Sequence, residues 1–456
     1  MILVYSVLIL AIIGFLIYFV IRSNNTFDVR LENSTSNLVV ADVVSEFGTK
    51  DAFGRERVAM PFTLGDYTHI YGNNIDFFNI TSPGASVTAV ENQAAVRLYI
   101  DGATSGMSAI HQTKTYHHYL PGKSQLILAS FVYGDPIENV IKRTGYFDKE
   151  NGIYLEQDGE GTLSFVIRSY VSGSVQENKV SRNNWNGDKV DGSGESGYNL
   201  DITKTQLLFI DFQWLGVGTV RCGFLNKGKM ILCNTFSNNN NLNTVYMSSA
   251  NLPVRCEITN TSISSPAKFE QICSTVMSEG GYTERGRDWG FISPTLRTIS
   301  GGSSLPVMAI RLKEDFKGYD NRMTVRLGDL NIISTTENIK YEVKKLTTGS
   351  LLSGGTWIDY TDESGIQYNV TATGISASLP QNEYVFELEN GFVTGSGKGQ
   401  NTNPGTGNNP PITAKQNYIV QNYYSNNSEI YVVQCTNLDS SDSTETGVGI
   451  RWREIY

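Results

Sequence analysis

Three carboxylates alternate in the stretch LEQDGEG, at Glu156, Asp158 and Glu160. On an unbroken β-strand, alternate side chains point to the same face of the sheet, so these three groups would line one cleft. Two carboxylates in a cleft hydrolyse glycosidic bonds when one is the nucleophile and the other the general acid and base. The spacing therefore gives a candidate catalytic site in which the third carboxylate assists the other two.

The same spacing resembles the ExDxE motif of family-16 glycoside hydrolases, which are concanavalin-like β-sandwiches. In that family the intervening residues are usually apolar and fill the core, whereas here they are Gln157 and Gly159. The segment DGEG is typical of a hairpin turn, where the alternation of a strand ends. We therefore expect a solvated turn at this position and predict that the protein is not an enzyme.

Metal and nucleotide sites are the next candidates. The acidic segment DKVDGSGE could hold calcium through Asp188, Asp191 and Glu195, although acidic glycine-rich loops are more often empty. Residues 192–197, GSGESG, satisfy GxGxxG but lack the preceding strand and following helix of a nucleotide site, so a polar loop is expected.

A histidine-rich segment, HQTKTYHHYL, contains His111, His117 and His118. Residues 111 and 117 would share one face of a strand, but a third ligand at suitable spacing is missing. Ordinary surface or sheet histidines are therefore expected. The sequence predicts no cofactor and no metal centre.

Composition bounds the class of protein. The 456 residues are 40% hydrophobic and 18% charged, which is enough apolar material for two or three domains with cores. A net charge of −9, without a cluster of Lys or Arg, argues against a nucleic-acid partner. The 5 cysteines have no CxxC spacing, so reduced core thiols are expected.

Turn residues and short β-branched segments indicate an all-β protein. The segment TLSFVIRSYV alternates like a strand with one core face, and TQLLFIDFQWL is apolar on both faces and should be central. Hairpins are predicted with turns at 158–161 and at 226–228. SSPAKFEQICSTVM could be a helix, but its β-branched centre slightly favours a strand. Successive hairpins of this kind build a jelly-roll or concanavalin-like β-sandwich.

The chain opens on an apolar run from Ile2 to Ile21, which as a helix would measure about 30 Å, the thickness of a bilayer core. A cleaved signal peptide is the alternative, but the basic n-region and small-residue cleavage site are missing. Arg22 and Arg30 weakly favour a cytosolic C-terminal part. The residues expected to form the membrane anchor are Ile2, Leu3, Leu8, Ile12, Ile13, Phe15, Leu16, Tyr18, Phe19 and Arg22.

The remaining chain divides by composition. We predict an anchor at 1–24, a stalk at 25–44, a β-sandwich body at 45–345 and an accessory β segment at 346–394. Residues 395–411 have no apolar side chain and are typical of a flexible linker. Residues 412–456 would then form a small C-terminal β module.

Several long phrases resemble a family of virion structural proteins of large double-stranded DNA viruses, with relatives in tailed phages. The matching segments are DAFGRERVAMPFTLGDY (51–67), HHYLPGKSQLILASFVYG (117–134), RTGYFDKENGIYLEQDG (143–159), DITKTQLLFIDFQWLGVGTVRCGF (201–224) and NLPVRCEI (251–258). The resemblance implies an all-β, lectin-like or jelly-roll body and brings no enzymatic residue. The N-terminal apolar run departs from the phage members, and this points to viruses with a bilayer beneath the capsid.

Two functions follow as hypotheses. The first is a membrane-anchored minor capsid protein that links the internal viral membrane to the major and minor proteins of the shell. Its body would face the shell, and its anchor would enter host cytoplasmic membranes during assembly. The alternative is a lectin-like spike or adhesin that binds host glycans through surface aromatic residues beside Asn and Asp loops. A family-16-like glycoside hydrolase is third.

Overall fold

The computed structural model describes residues 50–455 except 59, 73, 348, 377–384, 396–399, 403–417 and 423–426. The described residues are all-β, as predicted, and their only helical elements are 3-10 turns at Arg182–Asn184 and Gly349–Leu351. No helix among them has the length and apolar character to cross a membrane. The predicted anchor at 1–24 and stalk at 25–44 lie outside the described residues.

Fifteen strands build a first sandwich from two facing sheets. They are β1 Phe62–Thr68, β2 Phe77–Thr81, β3 Ala85–Val90, β4 Ala95–Ile100, β5 Ser108–Thr113, β6 Gln125–Val132, β7 Val140–Phe147, β8 Gly152–Gln157, β9 Leu163–Ser169, β10 Gln176–Ser181, β11 Gln206–Phe212, β12 Val220–Asn226, β13 Lys229–Phe236, β14 Val254–Asn260 and β15 Ala267–Ser278.

The two sheets of the first sandwich pack their apolar faces together. The eight-stranded sheet has the order β13-β12-β11-β6-β15-β4-β3, with β1 also paired to β15. The seven-stranded sheet has the order β10-β9-β8-β7-β14-β5-β2. Alternate residues of each strand point inward, so Leu163, Phe165 and Ile167 of β9 enter the core.

Local sequence patterns predicted several of these strands. β11 lies between β12 and β6, and Phe209 is fully buried on the face opposite the core, so the central-strand prediction is confirmed. The hairpins β8–β9 and β12–β13 turn where predicted. The segment around Phe269 is strand β15, as the β-branched pattern favoured. None of the 5 cysteines is in a disulfide, and all are buried except Cys273, which is half-buried.

The C-terminal strands build a second sandwich. They are β16 Arg287–Ile292, β17 Arg297–Ile299, β18 Ser304–Leu312, β19 Asp315–Phe316, β20 Tyr319–Asp320, β21 Thr324–Ser334, β22 Ile339–Leu346, β23 Leu352–Ser353, β24 Ile358–Asp359, β25 Ile366–Asn369, β26 Gly374–Ile375, β27 Val385–Val393, β28 Gln400–Thr402, β29 Tyr418–Ile419, β30 Gln421–Asn422, β31 Asn427–Ser428, β32 Ile430–Asn437 and β33 Thr444–Ile455.

The strands of the second sandwich are grouped differently from the predicted domains. One sheet has the order β16-β33-β21-β28, and we name it the β33 sheet; the other has the order β24-β25-β18-β32-β22-β27. The predicted body at 45–345 therefore spans two sandwiches, and the predicted module at 412–456 supplies interior strands to both sheets of the second. The predicted linker at 395–411 contains strand β28. β21 and β33 pair although more than 100 residues separate them, and they share one core. The composition along the chain does not show such long-range pairing.

Ion pairs join the two sandwiches. Lys114 Nζ lies 3.2 Å from Glu429 Oε1, and Arg322 Nη2 lies 3.1 Å from Asp148 Oδ2 and 2.7 Å from Glu150 Oε2. Glu429 and Asp148 are fully buried, so their charges need cationic partners; Glu429 also pairs with Lys345 of its own sandwich at 2.8 Å. The second sandwich therefore covers one end of the seven-stranded sheet.

Candidate functional site

The three alternating carboxylates do not form a catalytic cleft. Glu156 belongs to strand β8, but Asp158 and Glu160 lie in the turn that joins β8 to β9. Asp158 Oδ1 accepts hydrogen bonds from the backbone N–H groups of Glu160 and Thr162, at 3.0 and 2.8 Å. The carboxylate of Asp158 therefore stabilises a turn, as the DGEG pattern indicated, and the strand alternation ends before it.

Both carboxylate oxygens of Glu156 are held by cations. Arg143 Nε donates to Oε2 at 2.8 Å, and Lys179 Nζ donates to Oε1. The side chain of Glu156 is only 2% exposed. A general acid needs a proton to give and a nucleophile needs an accessible lone pair, and this geometry offers neither.

Glu156 belongs to a larger charged network, which we name the Arg–Glu face, on the side of the seven-stranded sheet away from the core. Its members are Arg143, Glu156, Arg168, Glu177, Lys179, Arg255 and Glu257. Arg143 bridges Glu156 and Glu257, the latter at 2.9 Å, and Arg255 Nη2 lies 2.5 Å from Glu257. Burial alone would raise the pKa of Glu257, but Arg255, Arg143 and Arg168 outweigh it and lower this pKa to about 2.

Aromatic rings form the floor of the Arg–Glu face. Phe147 and Tyr154 are fully buried with Val166, outside the main core. The guanidinium of Arg168 lies 5.5 Å from the centre of the Phe147 ring and 5.0 Å from that of Tyr154. The hydroxyl of Tyr154 donates to Glu177 at 2.6 Å. Each arginine therefore meets a ring on one side and a carboxylate on another, which makes the network rigid and closed.

The candidate calcium loop satisfies its own carboxylates. Asp188 accepts from the backbone N–H groups of Val190, at 2.7 Å, and Ser196, at 2.9 Å. Asp191 accepts from the backbone and hydroxyl of Ser193, and Glu195 is exposed. These bonds fold residues 188–199, including the GSGESG segment, as a polar loop. In the described part of the chain, no three His, Cys, Asp or Glu side chains converge as metal ligands.

The histidines of the HQTKTYHHYL segment separate in the fold. His117 Nδ1 lies 3.1 Å from the Leu252 carbonyl and therefore carries the proton, while Nε2 accepts from the Tyr67 hydroxyl at 2.8 Å. His118 is half-buried elsewhere, and burial with Arg285 lowers its pKa. His111 Nδ1 lies 2.6 Å from Asn79 Oδ1 on the adjacent strand.

His69, which the sequence pattern did not single out, lies beside His111. The two ring centres are 5.1 Å apart, and Phe77 stacks on His111 at 4.1 Å. His69 is 2% exposed, and burial lowers its pKa to about 4. Burial and the neighbouring His69 also hold the pKa of His111 well below its usual range. Both rings are therefore neutral in the folded protein at pH 7.

The loop that begins at His69 carries the most exposed aromatic ring of the first sandwich. We name residues 69–72 and 74–76, the described residues between β1 and β2, the Tyr71 loop. The side chain of Tyr71 is 100% exposed, and its neighbours Ile70 and Ile75 are 64% and 51% exposed. A fully exposed aromatic ring contributes no buried surface to the fold, so it is accessible to a ligand.

Hydrogen bonds hold the described residues of the Tyr71 loop on both sides of Tyr71. The Gly72 N–H donates to the His69 carbonyl at 3.1 Å, and the Asn74 amide donates to the Thr68 carbonyl at 3.2 Å. The Lys114 N–H donates to the Asp76 carbonyl at 2.7 Å. The Asn74 side chain also accepts from the Asp76 N–H at 2.9 Å, so both ends of its amide stabilise the loop that presents Tyr71.

Comparisons with known proteins do not identify a family. No family model matches the chain, and no curated protein matches it. A carbohydrate esterase of the Shiga toxin-encoding bacteriophage phi24B is 11% identical over 48% of this chain and 99% of its own, with a TM-score of 0.30. A legume lectin-like domain from Entamoeba histolytica is 12% identical over 44% and 89%, with a TM-score of 0.27.

A third solved structure is the CBM2 module of the evolved Dit protein of Lactobacillus casei BL23 phage J-1. It is 10% identical over 49% of this chain and 98% of its own, with a TM-score of 0.32. Likenesses at these identities and TM-scores assign neither a family nor a ligand to this chain.

Proposed function

We propose that this chain is a non-enzymatic binding protein whose first sandwich recognises carbohydrate. The observation that carries the proposal is the Tyr71 loop, where a fully exposed aromatic ring stands on a hydrogen-bonded support. A sugar presents an apolar C–H face and a rim of hydroxyls, which suit an exposed ring beside polar side chains.

The closed Arg–Glu face supports binding over catalysis. Glu156 is the one member of the predicted carboxylate set that lies on the sheet, and Arg143 and Lys179 occupy both of its oxygens. Glycoside hydrolysis needs two accessible carboxylates about 5 to 10 Å apart with a bond between them. We expect Glu156→Gln to destabilise the fold without removing any hydrolytic activity.

The experiment that tests carbohydrate recognition is binding of the full chain to an array of immobilised neutral and acidic oligosaccharides. Tyr71→Ala should lower the signal by about tenfold or more, because the stacking surface is lost. Tyr319→Ala is the matched control, because Tyr319 is 78% exposed on the second sandwich. Absence of binding by the unaltered chain, or equal loss in both variants, would overturn the proposal.

A membrane-anchored minor capsid protein is the second candidate. It is favoured by the apolar run at 2–21 and by the five phrases that resemble virion proteins of membrane-containing DNA viruses. In this proposal the facing seven- and eight-stranded sheets are the expected concanavalin-like or jelly-roll body, which would meet other capsid proteins. Detergent extraction of virions should then leave the chain attached to the shell, and its complete release with the lipid would contradict this role.

A further inference from the structure

The outer face of the β33 sheet carries three exposed aliphatic side chains in contact with two glycines. Ile292, Leu296 and Ile333, which we name the apolar patch, are 77%, 40% and 39% exposed. A Cβ on Gly447 would lie 2.6 Å from Leu296 Cδ2 and 3.3 Å from Ile333 Cγ1. A Cβ on Gly449 would lie 3.4 Å from Ile292 Cγ1. The three side chains therefore lie over the two buried glycines of β33 and occupy the space that side chains at 447 and 449 would need.

The backbone holds the apolar patch in a defined register. The Ser293 N–H donates to the Val448 carbonyl at 2.9 Å, and the Val448 N–H donates to Ser293 Oγ at 3.1 Å. Ile292 pairs with Gly449 and Ile333 with Gly447. The patch is thus centred on residue 448, and its position is set by strand pairing and not by a loose loop.

Opposite charges lie at equal distances from that centre. Val448, Ile450 and Trp452 point into the core of the second sandwich, so Glu445 and Arg451 lie on the outer face with the two glycines. Each is three residues from Val448, about 10 Å along the strand. Arg451 is 72% exposed, and its distance of 3.5 Å from Asp329 makes only a weak surface ion pair. It is therefore able to turn toward another carboxylate.

We propose that the apolar patch is the centre of an interface with a second copy of this chain. The two-fold axis would lie in the plane between the two facing sheets, perpendicular to β33 and level with residue 448. Rotation about it turns the second copy to face the first and reverses the direction of its β33. This operation places the two apolar patches together and sets Glu445 of each copy against Arg451 of the other. The surface is therefore self-complementary in both charge and hydrophobicity.

The apolar patch also suits contact between two sheets. Sheets pack face to face at about 10 Å through their side chains, and without side chains at 447 and 449 the three aliphatic side chains lie directly over β33 as one apolar surface. The patch is smaller than the roughly 800 Å² that each partner of a standard interface buries, so it forms the centre and the surrounding polar residues form the rim. A dimer that dissociates reversibly is expected.

Sedimentation velocity of the full chain in a non-ionic detergent tests the proposal. The unaltered chain should shift from monomer to dimer as its concentration rises. Ile292→Asp should raise the dissociation constant by at least about tenfold, because it places two carboxylates in an apolar contact. Ile263→Asp is the matched control, since Ile263 is 68% exposed on the first sandwich.

Charge reversal gives the decisive variant. Glu445→Arg and Arg451→Glu should each weaken the dimer, because like charges then face each other across the two-fold axis. The double variant should dimerise about as well as the unaltered chain, since the pairs are restored in reverse. A monomer at every concentration, a dimer indifferent to Ile292→Asp, or a double variant weaker than both single ones would overturn the proposal. Circular dichroism would verify that each variant is folded.

Discussion

The two outer sheet faces use charge in opposite ways. On the Arg–Glu face, guanidinium groups lie over aromatic rings and form ion pairs with carboxylates. Their charges are therefore compensated within the molecule. On the β33 sheet, Arg451 and Glu445 remain in solvent on either side of the apolar patch. The contrast teaches that a dense charged cluster is not by itself a functional site, because buried and mutually paired charges serve the fold.

Removing one buried charge should have the largest effect on stability. Glu257→Gln keeps the shape of the side chain but leaves Arg143 and Arg255 without a carboxylate that both of them contact. Breaking a buried ion pair typically costs 3–5 kcal/mol, so we expect the free energy of unfolding to fall by about 3 kcal/mol. Urea denaturation followed by tryptophan fluorescence measures this change.

The matched change on the open face is Glu445→Gln. Glu445 is exposed, so its loss should leave the urea midpoint nearly unchanged. If both variants unfolded at the same urea concentration, the distinction between a closed and an open face would not stand.

Acid should expose a different weakness of the first sandwich. Burial lowers the pKa of His69 to about 4. Between pH 6.5 and pH 4, His69 is therefore protonated in the unfolded chain but neutral in the folded chain. Stability contributed by neutral His69 is therefore present above pH 6.5 and is lost as the pH falls toward 4, by up to about 3 kcal/mol. Urea midpoints measured from pH 7 to pH 4 show the loss.

A His69→Gln variant removes this contribution together with the effect of His69 on the pKa of His111, so its urea midpoint should vary less over the same pH range. The comparison between variants is needed because Asp211 acts in the opposite direction. Burial outweighs Arg221 and Arg57 and raises the pKa of Asp211 to about 6, so its protonation favours the folded state as the pH falls. If the urea midpoints of the variant and the unaltered chain changed equally with pH, His69 would not contribute to the acid sensitivity.

Local patterns predicted the strands but not their partners. The alternation of Leu163, Phe165 and Ile167 fixed which side of β9 meets the core, because burial on one face depends only on neighbouring residues. The Arg–Glu face was not predicted, because Arg143 meets Glu257 only when β7 pairs with β14 in one register, 114 residues apart. The spacing of the carboxylates within LEQDGEG suggested a catalytic set. They do not line one face, because the strand ends in a turn at Asp158.

The second sandwich shows the same limit at a larger scale. β33 pairs with β21 over most of its length, so the last residues of the chain complete a sheet that begins more than 100 residues earlier. A polar segment at 395–411 signalled a domain boundary, yet the strands on both sides of it belong to one core. The composition of a segment indicates only whether that segment is easily ordered by itself. Which domain a strand belongs to depends on the distant strands with which it pairs.

The smallest expected effect on stability separates binding from folding on the β33 sheet. Ile292 is 77% exposed, so Ile292→Asp should change the free energy of unfolding by no more than about 0.5 kcal/mol while it disrupts the proposed dimer. Val166→Asp on the Arg–Glu face provides the contrast, because Val166 is fully buried against Phe147 and Tyr154 and its replacement buries a carboxylate. Urea denaturation at a protein concentration where the unaltered chain is monomeric isolates the folding term. A large loss of stability in Ile292→Asp under that condition would mean that the apolar patch is part of the core of the second sandwich.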